Sequence, residues 1–433
     1  MNTLMNKMSK SLLPMASKMA ANRYLMAIRN AFITIMPIII GCSFCTLINS
    51  VFLGKGNYFD KWFHFQGMPI VNVLGAINSA GMSVMTLLIV YLIAKELGRY
   101  YKMDTGTVAV TAVVCFLILT QFGVDAKEGE YIRTYYLGAA GLFTGFLSAF
   151  ATVEIMRKLM SFKALKITMP DSVPPAIAKS FNGMVPVILT MLIFGVVRMG
   201  TNALGKPLND LIFNYLQQPI SAMITSPIGI VFVYILYMLL WGLGIHSGFI
   251  ISSPILEPIY LVNLTQNANL IAKHQAAVNV LTKPFSDSTM FMGGAGNMLA
   301  LIIAIFIVSK RPDYKKIAKL GFVPSIFNIS EPIMFGLPVV MNPILIIPMI
   351  LSTLVGLGVG YLATITGIMG YTYILVPWTT PPLINAFLST GGNFGALIVA
   401  AVILVLSVII YMPFVQVMNR AENIEKKESV KEA

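Results

Sequence analysis

Long apolar runs alternate with short polar links along nearly the whole chain, and the run lengths set the first expectation. A helix crossing the roughly 30 Å hydrocarbon core of a bilayer needs about 20 apolar residues. The N-terminal half offers five such runs, at 31–53, 68–94, 106–122, 135–153 and 184–201. The C-terminal half offers 225–245, 288–308, 343–364, a 371–388 segment broken by Pro377, Pro381 and Pro382, and 395–417. Between the halves, residues 202–222 carry Pro207, Asp210, Asn214, Gln217, Gln218 and Pro219 among apolar neighbours. That stretch is too polar to span and too apolar for a free loop, so it reads as an interfacial connector.

Two apolar stretches are interrupted in the same way, by Glu257-Pro258 within 250–264 and by Glu331-Pro332 within 328–343. A proline inside a helix deletes a backbone donor and clashes one turn back. Irregular backbone at membrane depth persists only where it is buried in protein or lines a wet cavity. Paired broken segments of this kind point to a transporter site near mid-membrane. The expected architecture is an all-α integral membrane protein of about ten transmembrane helices plus two re-entrant hairpins. Its parts are an amphipathic N-terminal helix over 1–30, two halves over 31–201 and 223–418 joined by the amphipathic connector 202–222, and a tail over 419–433.

Composition agrees with the pattern: 57% of the 433 residues are hydrophobic and only 11% charged, against about 25% charged in an ordinary globular domain. The formal charge of +13 could suggest nucleic acid. The basic residues instead sit in short clusters between apolar runs, which argues against a nucleic-acid face and for topology. Lys and Arg are dense in the N-terminus and in the links 95–104, 154–179 and 310–319, and sparser in 54–67 and 123–134. By the positive-inside rule the N-terminus is cytoplasmic. Residues 1–30, with Lys7, Lys10, Lys18, Arg23 and Arg29, suit a surface helix rather than a cleaved signal peptide. Cys42, Cys45 and Cys115 lie in apolar runs and read as structural.

Ionisable residues at membrane depth are costly, about 2.5–3.5 kcal/mol on insertion scales, and are functional candidates by default. Four stand out here: His246, Glu257, Asp287 and Glu331. His246 sits between Gly244 and Gly248, where a helix can end and the backbone open. No companion His or Cys gives metal-ligand spacing, so neither a metal nor another cofactor is expected. Asp287 opens the run leading to Gly293-Gly294-Ala295-Gly296-Asn297, where it and Asn297 could bond the hydroxyls of a polar solute, or Asp287 could cap a helix. Glu257 could bind a polar solute or gate, and it, like Glu331, could mark the tip of a hairpin. Trp378, in a proline-broken stretch, could stack on the apolar face of a bound solute or anchor at the interface. His64 and His274 lie in polar stretches and read as solvated.

The string Asn328-Ile329-Ser330-Glu331-Pro332-Ile333-Met334-Phe335-Gly336-Leu337-Pro338-Val339-Val340-Met341-Asn342-Pro343 resembles a signature of the bacterial phosphotransferase system (PTS). It is similar to enzyme IIC sugar permeases of the lactose/cellobiose/diacetylchitobiose family, in which this motif carries the sugar-binding glutamate. Residues 29–37, 169–181, 242–248 and 293–297 extend the resemblance over nearly the whole chain. It implies that Glu331 binds sugar and could act as general base, with His246 orienting the same sugar. It further implies a β-linked disaccharide such as diacetylchitobiose or cellobiose, and a homodimer formed through the N-terminal half. A separate phosphorylated IIB protein, with IIA upstream, would supply the phosphoryl group from its own cysteine. An ion-coupled secondary transporter is the alternative, with Glu331 and Asp287 carrying ions. A membrane hydrolase would need a nucleophile and base set, which the sequence does not offer.

Overall fold

The computed structural model describes residues 18, 21–49, 53, 69–120, 122–125, 129–132, 134–165, 167, 175–337 and 339–432. Most of the 1–30 stretch, His64 and residues 168–174 lie outside these. The chain divides into two compact units, Ala20–Ile39 with Ile77–Met223, and Ile40–Ala76 with Ile224–Ala433. Each is helical. Among the described residues, seven helices are long and apolar enough to cross a membrane, or eight if Leu208–Thr225 and Pro227–Gly242 form one bent span.

α1 (Arg23–Leu47) passes from the first unit into the second at Ile40, and its first-unit part buries Ala27, Ile28, Ala31, Phe32, Ile35 and Ile39, the three- and four-residue spacing of one helical face. The next helical run is broken into α2 (Pro69–Met82) and α3 (Met85–Tyr100). The break is tied down at Thr86, whose N–H donates to the Leu137 carbonyl at 2.8 Å and whose hydroxyl donates to the Gly138 carbonyl at 2.6 Å. Next, α4 (Thr105–Leu119) starts at Asp104, which caps it by accepting from the Thr107 N–H. At fifteen residues this helix is shorter than the 106–122 span expected.

A two-stranded antiparallel hairpin follows, β1 (Phe122–Asp125) with β2 (Gly129–Ile132), where only a loop was expected. Two short helical turns then precede α5 (Leu142–Ser161), so the span expected at 135–153 begins seven residues later. The chain folds too tightly at Gly141 for an earlier start: a Cβ there would overlap the Tyr136 carbonyl oxygen. α5 packs closely on α3 through Gly145, where a Cβ would come within 2.8 Å of Thr86. α6 (Pro175–Ala203) completes the spans of this unit. The stretch read as a connector forms α7 (Leu208–Ile212), a π-helical turn over Phe213–Gln217 and α8 (Gln218–Thr225).

The second unit holds α9 (Pro227–Gly242), capped by Ser226, and α10 (Glu257–Ala272). It continues with α11 (Lys283–Thr289) and α12 (Met298–Val308). The single span expected at 288–308 is therefore split by a loop over 290–297. Four residues of that loop, Gly293, Gly294, Gly296 and Asn297, hold positive φ, a region that glycine enters freely and asparagine tolerates. α13 (Pro312–Ile326), α14 (Glu331–Gly336), α15 (Pro343–Ile365), α16 (Pro382–Ser389) and α17 (Phe394–Glu432) complete the chain. α15 matches the expected 343–364 span to within a residue. In place of a helix over 371–388, the chain runs irregularly to Pro381 before α16 begins.

Glu257-Pro258 and Glu331-Pro332 have the same local setting. In each, glutamate and proline open a helix, α10 or α14, where proline's missing donor costs nothing. Glu257 nonetheless falls inside a continuous helical run, Ser247–Ala272, rather than at a tip.

Candidate functional site

His246 is placed by the end of α9. Gly244, at φ +79°, lets the chain turn away, and a Cβ there would stand 3.0 Å from Val340. The Met341 N–H donates to the Gly242 carbonyl at 2.7 Å, fastening the turn after α14 to this helix end. His246 stacks on Phe249 at 4.0 Å and 12°, with Trp241 at 4.4 Å on a tilt. Its Nε2 lies 4.0 Å from Glu331 Oε1, and the side chains are 40% and 47% exposed. That gap is too long for a direct hydrogen bond. It is short enough for both atoms to stand about 2.8 Å from one hydroxyl oxygen.

Glu331 is placed from the other side by Asn328, a residue the sequence reading included in the motif but gave no role. Asn328 adopts φ +61°, and its amide spans three segments. Oδ1 accepts the Gly293 N–H at 2.9 Å, while Nδ2 donates to the carbonyls of Trp378 at 2.6 Å and Thr380 at 3.0 Å. Close approach completes the corner: a Cβ on Gly294 would lie 2.5 Å from Ser330 Cβ. The glycine loop, the start of α14 and the proline-broken strand of chain thus converge on one side chain. Trp378 is brought to this corner with its side chain 45% exposed.

Asn297 is fully buried, and its amide is committed to the loop. Oδ1 accepts the Met292 N–H at 2.8 Å and Nδ2 reaches Ser407 Oγ at 3.3 Å. Asp287 and Glu257 form a second polar set. Both are buried, at 5% and 7% exposure. Lys283, one turn before Asp287 on α11, pairs with Asp287 Oδ1 and acts electrostatically on Glu257 as well. Among the described residues neither Glu257 Oε2 nor Asp287 Oδ2 has a hydrogen-bond partner. Lys283 was not singled out in the sequence, although its spacing from Asp287 is that of a helical ion pair. Tyr237 lies near Gly248 and in the field of both Asp287 and Glu257.

His274 is exposed at the end of α10, and Cys115 packs with Leu119 and Phe194. Among the described residues, no group of three or more His, Cys, Asp or Glu side chains could hold a metal ion.

Short broken helices that bring a histidine, carboxylates and aromatic rings together inside a multi-span bundle define a membrane carrier for a small polar solute. The chain belongs to the phosphotransferase system EIIC family, whose model matches residues 29–353. It is a multi-pass membrane sugar permease. The oligo-beta-mannoside-specific EIIC component of Bacillus subtilis is 33% identical, over 98% of this chain and 96% of that protein. The cellobiose-specific EIIC component of Geobacillus stearothermophilus is 31% identical, over 99% and 97%. The crystal structure of ChbC, the IIC component of the N,N'-diacetylchitobiose-specific system, superposes with a TM-score of 0.88 at 32% identity, covering 97% of this chain and 99% of that one.

Proposed function

We propose that the protein carries a β-linked disaccharide, such as diacetylchitobiose or cellobiose, across the cytoplasmic membrane and presents it to a separate phosphorylated IIB protein. The observation that carries this reading is the 4.0 Å gap between His246 Nε2 and Glu331 Oε1 beside Trp241 and Phe249. One sugar hydroxyl set there donates to the carboxylate and accepts from the imidazole N–H. The names of the relatives, specific for oligo-beta-mannoside, cellobiose and diacetylchitobiose, support a β-linked disaccharide.

In this reading the sugar hydroxyl is the nucleophile. Its oxygen forms the new bond to phosphorus, the phosphorus–sulfur bond to the IIB cysteine breaks, and Glu331 takes the hydroxyl proton as general base. Asp287 and Glu257, with acceptor atoms to spare, and the exposed face of Trp378 serve the remainder of the disaccharide. Asn297 shapes the loop that holds Asn328. Residues 223–418 form the sugar-binding half and residues 31–201 the scaffold through which a homodimer forms. Both termini and the basic links face the cytoplasm, where IIB, recharged by IIA, docks.

Titrating purified protein with diacetylchitobiose, cellobiose, lactose and maltose by calorimetry tests the reading. A β-linked sugar should bind and α-linked maltose should not. Binding of maltose alone, or of none of the four, would overturn it.

A further inference from the structure

A groove of about 450 Å³ opens in the first unit, on residues other than those of the candidate sugar site. It is lined by Asn22, Tyr24 and Leu25 at the start of α1 and by Phe150, Ala151 and Glu154 on α5. Leu25, Phe150 and Ala151 make its walls apolar. Leu147, one turn before Ala151 on α5, is 43% exposed and continues that apolar surface along the helix. The polar groups gather where Tyr24 meets Glu154.

The Glu154 carboxylate is already engaged. It accepts from the Tyr24 hydroxyl at 2.8 Å, from the Tyr101 hydroxyl, and from Arg157 Nε and Nη2 at 3.0 and 2.8 Å. The Arg23 guanidinium stands beside this cluster, 5.1, 5.3 and 5.9 Å from the ring centres of Tyr24, Tyr101 and Tyr100. The Tyr24 and Tyr100 side chains also bond to this guanidinium, which fixes it, and with five N–H donors it keeps others for a ligand. Among the described residues no carboxylate pairs with Arg23, and residues 1–22 contain neither Asp nor Glu. Arg23 and Arg157 against Glu154 leave one positive charge, and Lys158, exposed, adds another.

We propose that this groove binds an anionic phospholipid, with an acyl chain along Leu25, Phe150 and Ala151 and the phosphate on the Arg23 guanidinium. A planar guanidinium matches phosphate oxygens two at a time, and the apolar walls at the end of a spanning helix suit a chain entering from the bilayer. A zwitterionic headgroup would bring its own cation toward Arg23 and lose that advantage. One basic residue near the membrane surface favours an anionic lipid by about fivefold.

The test uses the full-length protein in phosphatidylcholine bilayers, with F150W as a reporter in the groove wall. Brominated phosphatidylglycerol should quench its added fluorescence at about a fifth of the mole fraction needed of brominated phosphatidylcholine. R23Q should remove that difference while sugar binding is retained. Equal quenching by both lipids would mean an ordinary lipid shell, and no quenching by either would mean that protein covers the groove. Either result, or selectivity that survives R23Q, overturns the proposal. If F150W does not fold, native mass spectrometry of the wild-type protein and R23Q decides: retained phosphatidylglycerol should exceed phosphatidylcholine in the first and not in the second, and equal retention in both refutes the site.

Discussion

Asn328 accepts the Gly293 N–H at 2.9 Å across 35 residues of sequence, and through this contact the glycine loop and the segment that bears Glu331 hold one geometry. The same amide donates to Trp378 and Thr380. At about 0.5–1.5 kcal/mol net for each of three bonds, Asn328→Ala should cost about 2–4 kcal/mol. Asn328→Gly keeps the φ of +61° at no steric penalty but loses the same bonds, so it should be nearly as unstable. Thermal unfolding in detergent would check this; full stability in the glycine variant would mean that only the backbone angle matters.

Glu331→Gln should weaken disaccharide binding by about ten- to a hundredfold, since a hydrogen bond to a charged acceptor contributes about 1.5–3 kcal/mol. IIB-dependent phosphorylation should fall further, because the amide cannot take a proton. The side chain is about half exposed, so the fold should survive. Calorimetry paired with a phosphorylation assay reads both effects, and wild-type values in either would remove Glu331 from the role given to it.

The Lys283–Asp287 pair, with Asp287 buried and Lys283 only partly so, makes an asymmetric prediction. Removing one partner leaves an uncompensated buried charge, which costs about 3–5 kcal/mol. Lys283→Met, which strands the buried Asp287 charge, should be strongly destabilising, Asp287→Asn less so because Lys283 is partly exposed, and the double variant much less so than their sum. A double-mutant cycle on thermal unfolding measures the coupling; simple additivity would show that the ion pair carries no stability.

The basic face of α13 should be where IIB docks. Lys315, Lys316 and Lys319 are all exposed there, and the helix start is anchored by Arg311, which pairs with Asp313 and lies 3.8 Å over the Tyr314 ring. Replacing the three lysines by glutamine should slow phosphorylation several-fold at low salt, with less effect as salt rises, because complementary charge acts mainly on encounter. Sugar affinity should hold. A phosphorylation rate indifferent to both the substitutions and ionic strength would place the docking face elsewhere.

Which parts of this were legible in the sequence follows from what each signal measures. Hydropathy over a span-length window located α15 to a residue, because 343–365 is apolar throughout and opened by Asn342, whose side chain accepts the Ile344 N–H. The same averaging hid the 290–297 break: Met290, Phe291, Met292 and Met298 keep the window apolar while three glycines and Asn297 turn the backbone. It also started α5 too early, since the Gly138–Gly141 turns are apolar but not α-helical. Glu331 and His246 were legible as ionisable residues in broken apolar segments. Asn328 and Lys283 were not, because what distinguishes them is a partner: Trp378 lies fifty residues from Asn328, and Lys283 reads alone as the polar edge of a span.

The central claim is that accumulation draws its energy from phosphorylation by IIB, and uptake of radiolabelled disaccharide into proteoliposomes tests it most directly. A carrier with no differential input cannot shift the balance between two sides. Without IIB, and with a proton or sodium gradient imposed, uptake should stop when inside and outside concentrations match. Enclosing phosphorylated IIB on the side of the basic links should turn equilibration into accumulation of sugar phosphate. Uphill accumulation of unmodified sugar driven by either ion would contradict the account and assign Glu331 and Asp287 to ion coupling.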